Sequence, residues 1–243
     1  MRLFDTVPNN WSLVKLTDVT DINPTHPDDP PMDHELASFV PMKKIEELTG
    51  RMDPSEVREW SEINTGYTRF QEGDVVFAKI TPSMENGKAA LARNLKNGVA
   101  SGSTELHVIR PSNRILAEYI LYFVLQEGFR REAEASMTGT AGHMRVPTEF
   151  MNRVEIPLPP IEEQRQISEL LMQNFSIIEK TEKSLQACMK RSNRLRQSIL
   201  KHAFEGKLVS QEPTKDPPVP DGGDMDVEAG ARDIFQEVTC DDE

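Results

Sequence analysis

The chain has 243 residues, is 37% apolar and carries a formal net charge of −12. That length allows one core of about 150 residues with appendages. The two cysteines argue against a disulfide framework or a metal site, and the longest apolar run, Tyr119 to Leu125, is far too short to span a membrane.

Met1 to Asp5 leads to Pro8 with no apolar stretch between, so no signal peptide is expected, and a prokaryotic cytoplasm is the expected compartment. Trp11 to Ile22 has strand-like apolar spacing behind a Pro8-Asn9-Asn10 turn. Asp21 to Asp33 is proline-rich and expected to be irregular. Its Asp29-Pro30-Pro31-Met32 has the outline of an acidic-Pro-Pro-aromatic methyltransferase motif, but Met32 cannot stack on a base and no glycine-rich cofactor loop follows a strand. An ordinary proline-rich loop is the better reading.

Ser38 to Met42 is expected as a short strand, and Lys43 to Arg58 mixes charge with turn residues. Gly73-Asp74 should turn the chain into a buried strand, Val75 to Pro82, whose one charge is Lys79. Such a lysine either reaches the surface along its aliphatic stem or meets an anion. Gly87 to Leu91 and Ser103 to Arg110 are read as further strands, the second with Thr104, Leu106 and Val108 on one face. Ile115 to Ala135 is read as one helix, with Leu116, Ile120, Phe123 and Leu125 inward and Arg130 and Arg131 outward.

Met137 to Pro147 breaks this pattern. Gly139 and Gly142 permit close backbone approach to a phosphate or base edge, and His143 and Arg145 can reach oxygens and ring nitrogens. A loop that merely caps the sheet is the equal alternative. Phe150, Val154 and Ile156 then return the chain to the core.

Ile156-Pro157-Leu158-Pro159-Pro160 must run extended, because each proline fixes φ and removes a donor. From Ile161 to Phe204 there is neither Pro nor Gly, and Glu162 and Glu163 sit where a helix dipole favours carboxylates. The reading is one long helix, ended by Gly206. Leu171, Ile178, Leu185, Ser192 and Ile199 recur every seven residues, with Phe175, Cys188, Met189 and Leu195 at half-heptad positions, which makes a coiled-coil seam. A surface helix lying on its own domain is the alternative.

Acids concentrate in the first half of this helix and Lys183, Lys190, Arg191, Arg194, Arg196 and Lys201 in the second. Two copies running antiparallel would set acid against base, with Leu185 near the two-fold axis, Ile178 opposite Ser192 and Leu171 opposite Ile199. Residues 211 to 243 carry −9, residues 161 to 210 carry +3 and residues 1 to 160 carry −6. Most of the acidity is therefore in a Pro-, Gly- and Asp-rich tail expected to be disordered. Val227, Ala231, Ile234, Phe235 and Val238 share one helical face there, so a short docking helix is the alternative. The charged, non-repetitive ending at Glu243 is expected to be a natural terminus.

The expected architecture is α+β: a curved mixed-sheet domain over 1 to 160, a spacer helix over 161 to 208 and an acidic tail over 209 to 243. The order of parts resembles the DNA specificity subunit of type I restriction-modification systems. The resemblance rests on the Trp-x-x-Val-Lys-Leu entry, the Gly-Asp-x-Val-Phe-x-Lys-Ile-x-Pro strand, the 137 to 147 loop and, most specifically, the Ile-Pro-Leu-Pro-Pro-x-x-Glu-Gln segment joined to the helix. It covers residues 10 to about 208.

Members of that family carry two target-recognition domains and two helices paired antiparallel. This chain has one of each, so the resemblance implies a half-subunit that pairs with a second copy and reads an interrupted palindrome. It further implies a non-catalytic chain without a cofactor of its own. S-adenosylmethionine would come with partner modification subunits, and ATP and magnesium with a partner restriction subunit. The residues expected to touch double-stranded DNA are Lys79, Thr81, Ser83 and Lys88 from the strand and its exit, and Gly139, Thr140, His143 and Arg145 from the loop. Those expected at the dimer seam are Leu171, Ile178, Leu185, Ser192, Leu195 and Ile199. Two rivals remain: an independent enzyme, for which no nucleotide fingerprint, metal cluster or acid pair with a lysine is present in the sequence, and a coiled-coil adaptor or regulatory decoy that makes no DNA contact of its own.

Overall fold

The structure is a computed structural model and describes residues 7–140 and 143–209. The tail expected to be disordered, with a short docking helix as the alternative, lies outside the described residues for all but its first position, as do Cys240 and the Met1 to Asp5 start. In chain order the elements are β1 (Ser12–Lys15), β2 (Thr20–Ile22), β3 (Leu36–Val40), β4 (Val57–Glu59), α1 (Trp60–Ile63), β5 (Thr68–Gln71), β6 (Val75–Ala78), β7 (Ala89–Leu91), β8 (Val99–Gly102), β9 (Leu106–Pro111), α2 (Ala117–Leu125), α3 (Glu127–Ala135), α4 (Thr148–Arg153), β10 (Glu155–Leu158) and α5 (Ile161–Phe204). Contacts divide the chain into Met1–Gln173 and Asn174–Glu243.

Within the first unit, β2, β9, β6 and β7 form one antiparallel sheet, and β4, β3, β8 and β5 form another in which β3 and β8 are parallel. The expected mixed sheet is thus two sheets, because the strand side chains bury on both faces. Val76, Ala78, Leu106 and Val108 point to Val40, Phe70 and Ala100 of the second sheet, whereas Val75, Phe77 and Ile109 point to the helices. Continuous apolar strands of this kind need cover on each side. The same fact corrects the reading of Ser103 to Arg110: β9 has no solvent face, and His107 and Ile109 are as buried as Leu106 and Val108.

Trp11 to Ile22 is two strands rather than one. A 3-10 turn at Leu16–Asp18 sends β1 to pair with β10 and β2 to pair with β9, and fully buried Leu16 anchors the corner. Ile115 to Ala135 is two helices, because Gln126 has extended ψ of 144°. A straight helix would place Phe129 about 240° around from Phe123. The break instead returns Phe129 to the core, 5.2 Å from Phe123, 5.4 Å from Phe77 and 5.5 Å from Phe150 by ring centroids. Arg131 does face solvent, but Arg130 is half-buried and donates to the Glu85 carbonyl at 2.7 Å.

The Pro-Pro-x-x-Glu-Gln segment turns out to be a latch. Gln164 is fully buried; its Oε1 accepts the Leu116 N–H at 2.9 Å, just before α2, and its Nε2 donates to the Arg114 and Pro159 carbonyls at 3.1 and 2.9 Å. Tyr119 donates to the Pro157 carbonyl at 2.9 Å, and burial pushes its hydroxyl pKa up to about 12. Asn10 reaches the Glu163 carboxylate at 3.0 Å. The start of α5 is therefore fixed to α2 and β10 by buried and part-buried hydrogen bonds, and to the entry segment by an exposed one.

Helix α5 is 44 residues long, about 66 Å at ~1.5 Å per residue. Along it Ile178, Leu185 and Ile199 are 51%, 60% and 38% exposed, and Ser192 is exposed, while Leu171 and Leu195 are half-buried. Leu170, Met172, Ile177 and Leu200 add apolar surface beyond the seven-residue repeat. Cys188 is a free, exposed thiol.

Candidate nucleic-acid interface

The site grows from the end of β6. Gly73, at φ +87°, makes the turn that only glycine adopts freely, and the Asp74 carboxylate closes it by accepting the Gln71 N–H at 2.9 Å. Four buried residues later the strand emerges at Lys79. The Lys79 N–H donates to the Glu105 carbonyl at 2.9 Å, and its own carbonyl accepts the Val146 N–H at 2.8 Å.

The loop after α3 is a closed hairpin. Thr138 and Arg145 exchange both backbone hydrogen bonds, at 3.0 and 2.9 Å, and the His143 N–H donates to the Thr140 carbonyl. Arg145 pairs in turn with Ile80, and the Thr81 N–H donates to the Met144 carbonyl at 3.1 Å. Lys79, Thr81, Thr138 to Thr140 and His143 to Arg145, split by more than fifty residues of chain, thus form one ridge.

Gly139 has φ +131°, and a Cβ there would lie 2.6 Å from the His143 carbonyl oxygen. Glycine is required for the hairpin to close on itself, a reason nearer to hand than approach to a phosphate. Gly142 lies outside the described residues. Thr140 and His143 are exposed on the hairpin.

Arg145 is held by Glu105, through Nε to Oε2 at 2.8 Å and Nη2 to Oε1 at 2.6 Å. That fork keeps the Glu105 carboxylate below its usual pKa, with Lys79 and His143 adding to the effect. Lys79 itself is pulled below the ordinary lysine value by burial, against the opposing field of Glu105. Thr81 Oγ1 is buried and has no hydrogen-bond partner among the described residues. Ser83 and Lys88 close the next turn, where the Lys88 N–H donates to the Ser83 carbonyl at 3.0 Å. The Lys88 ammonium is directed to the Met42 carbonyl at 3.3 Å, so it ties two backbone segments together.

Beside the ridge, between the two sheets, lies a cleft of roughly 290 Å³ with Leu106 and Val108 as its apolar wall and Lys79, Tyr67, Thr68, Arg69 and Asn23 to Thr25 around it. Arg110 positions the proline-rich rim: its Nε and Nη2 grip Asp74 at 2.9 and 3.0 Å, and its Nη1 holds Asp28 at 2.9 Å and the His26 carbonyl at 3.2 Å. Sequence reading missed this cleft because β5 went unread. Tyr67 to Gln71 ahead of the Glu-Gly-Asp turn does carry strand signals, but nothing local shows that β5 faces β9.

His107 locks the cleft to the hairpin. Its Nε2 contacts the Val146 carbonyl at 2.9 Å, and its Nδ1 contacts the Asn23 amide Nδ2 at 3.0 Å, an arrangement that suits a neutral ring with Nε2 protonated. Burial, aided by Lys79, pulls its pKa below the usual 6.5. The unfolded chain then takes up the proton first as pH falls. This contribution to stability is full above the unfolded value and is lost as pH drops through it towards the folded value. The urea midpoint should fall between about pH 7.5 and about pH 5.5, and His107→Gln should flatten that dependence. An identical pH slope in the variant would remove His107 as its cause.

Among the described residues there is no group of three His, Cys, Asp or Glu placed to hold a metal, and no helix long and apolar enough to cross a membrane. The features the geometry does offer are a hairpin ridge, a cationic cleft and a long helix.

Comparison with known proteins places these features. Residues 8–187 match the type I restriction modification DNA specificity domain. The specificity subunit of the EcoAI type I restriction enzyme of Escherichia coli is 36% identical over 84% of this chain and 35% of its own length; that of EcoEI, also from Escherichia coli, is 32% identical over 87% and 42%. The chain therefore spans well under half of the curated relatives it matches. Among solved structures, a chain from a study of assembly and conformational transition of a type I R-M system aligns with a TM-score of 0.62 at 23% identity, over 84% of this chain and 48% of that one. The HsdS subunit of Thermoanaerobacter tengcongensis aligns with a TM-score of 0.56 at 21% identity, over 87% and 52%. These likenesses support the α+β head and long helix as a shared fold. With the family model matching most of its length, the chain belongs to the type I restriction-modification DNA specificity family.

Proposed function

We propose that this chain is the DNA-reading, non-catalytic component of a type I restriction-modification complex and that it works as a pair of copies joined through α5. The observation that carries the pairing is the exposure of Ile178, Leu185 and Ile199 at seven-residue multiples on a helix whose residues 161 to 182 carry −3 and whose residues 183 to 204 carry +6. A seam of that kind, left in water, is the signature of a missing partner helix. Antiparallel pairing sets the acidic half of one copy against the basic half of the other. Leu171, Ile178, Leu185, Ser192, Leu195 and Ile199 then form an isologous seam.

The head, residues 1 to 160, supplies the reader and the helix, to residue 208, the ruler. Phosphate contacts set register and base-edge contacts select sequence. Lys79, Thr81, His143 and Arg145 are the ridge residues proposed for this, Thr81 through its backbone and Arg145 by exchanging Glu105 for a DNA partner, with Gly139 and Thr140 shaping the hairpin. Ser83 and Lys88 extend the proposed contact surface from the turn that follows Thr81. Modification subunits would bring S-adenosylmethionine and methyl transfer, and restriction subunits ATP and magnesium.

Two identical heads related by a two-fold axis read identical half-sites. Mapping of methylated adenines in the host genome should therefore show an interrupted palindrome that disappears when this chain is deleted. An asymmetric bipartite motif that depends on this chain would contradict the pairing, and methylation indifferent to its deletion would contradict the reader. A methyl-transfer activity of the purified chain alone would overturn the non-catalytic reading.

A further inference from the structure

The cleft between the two sheets holds two cations without a matching carboxylate. Arg69 gives one donor to the Asn64 carbonyl at 3.0 Å and has no ion pair among the described residues, which leaves most of its five N–H groups unused. Lys79 Nζ has no hydrogen bond there either; the nearest acid, Glu105, is gripped by Arg145. No Asp or Glu lines the cleft, while Thr25, Tyr67 and Thr68 contribute hydroxyls. We propose that this cleft seats a backbone phosphate of the DNA, with Arg69 and Lys79 as its charge partners.

A phosphate fits better than a base. Reading a base edge needs paired donors and acceptors. Arg69 and Lys79 offer donors alone, and the Asn23 amide is engaged with His107 and the Val108 N–H. What is left is two cations and the hydroxyls of Thr25, Tyr67 and Thr68 around a cleft of roughly 290 Å³, room for a phosphate with its hydration shell. Lys79 also belongs to the ridge, through its backbone bonds to Glu105 and Val146, so a strand held in the cleft would continue along the hairpin. The proposal rests on the DNA-reading function above and adds the residue that function did not name, Arg69. In this role Arg69 and Lys79 fix register and carry no base preference.

The test is salt-titrated binding of the full chain to a random-sequence duplex and to the duplex mapped by methylation. Arg69→Gln and Lys79→Met should each lower the slope of log K against log salt by about 0.9 and weaken both duplexes equally, by about fivefold at physiological salt. An unchanged slope in folded variants, judged by unaltered thermal melting, would overturn the phosphate seat, and so would a loss confined to the mapped duplex, which marks a base contact. Inorganic phosphate supplies a separate arm, followed by amide chemical shifts of Thr68, Arg69 and Lys79. If wild type binds no duplex but phosphate shifts these amides saturably and Arg69→Gln abolishes it, the anion seat stands for free phosphate and the DNA reading falls. If neither binds, both fall.

Discussion

Gln164→Leu should destabilise the head by about 3 kcal/mol, measured by urea unfolding of the full chain. Leucine fills a similar volume, so packing is nearly conserved. What is lost is hydrogen bonding: the Leu116 N–H and the Arg114 and Pro159 carbonyls, all bound to one fully buried amide, are left without partners. Each orphaned group costs about 1 kcal/mol or more. The neighbouring Asn10→Ala removes a single exposed bond to Glu163 and should cost under about 1 kcal/mol. The contrast is the informative part, because both contacts start from the same turn of α5. A Gln164→Leu loss below about 0.5 kcal/mol, the range of ordinary surface changes, would refute the latch.

Leu185→Asp should convert a dimer into a monomer. Leu185 is 60% exposed in the single chain, and in the proposed antiparallel pair it would meet its own copy near the two-fold axis. Burying such a side chain contributes about 1.5 to 3 kcal/mol, and each symmetric interface contains it twice. Aspartate removes that term and sets two carboxylates against each other. The dissociation constant should rise by at least about a hundredfold, read by sedimentation at micromolar concentration. Direction is read separately by single cysteines: Leu171→Cys in one copy should crosslink with Ile199→Cys in the other, in a background where Cys188 is replaced by serine. A dominant Leu171→Cys to Leu171→Cys crosslink would establish parallel pairing. A wild-type chain that sediments as a monomer throughout would end the pairing model.

Helix α5 is legible in the sequence, because the run between Pro160 and Gly206 has no breaker and spaces its apolar residues at the helical rather than the strand period. The buried strand ahead of Lys79, the existence of a loop at 137 to 147 and the family were legible for similar local reasons: turn residues, apolar runs and a short proline motif; that the loop closes as a hairpin was not. The sequence also shows charge asymmetry, since charge needs no geometry to be counted.

Five further things needed the tertiary structure. Local pattern cannot say that β9 is covered on both faces, that the helix after Ile115 breaks at Gln126 to bring Phe129 inward, or that Gln164 is a buried clasp rather than an exposed glutamine at a helix start. Nor can it say that Arg69 and Lys79 face one cleft, or that Glu105 already holds Arg145. Periodicity and turn chemistry act over a few residues and so can be read along the chain. The pairing of a buried donor with its acceptor, or of a cation with its carboxylate, is set by which distant strands become neighbours, and only the folded chain supplies that distance.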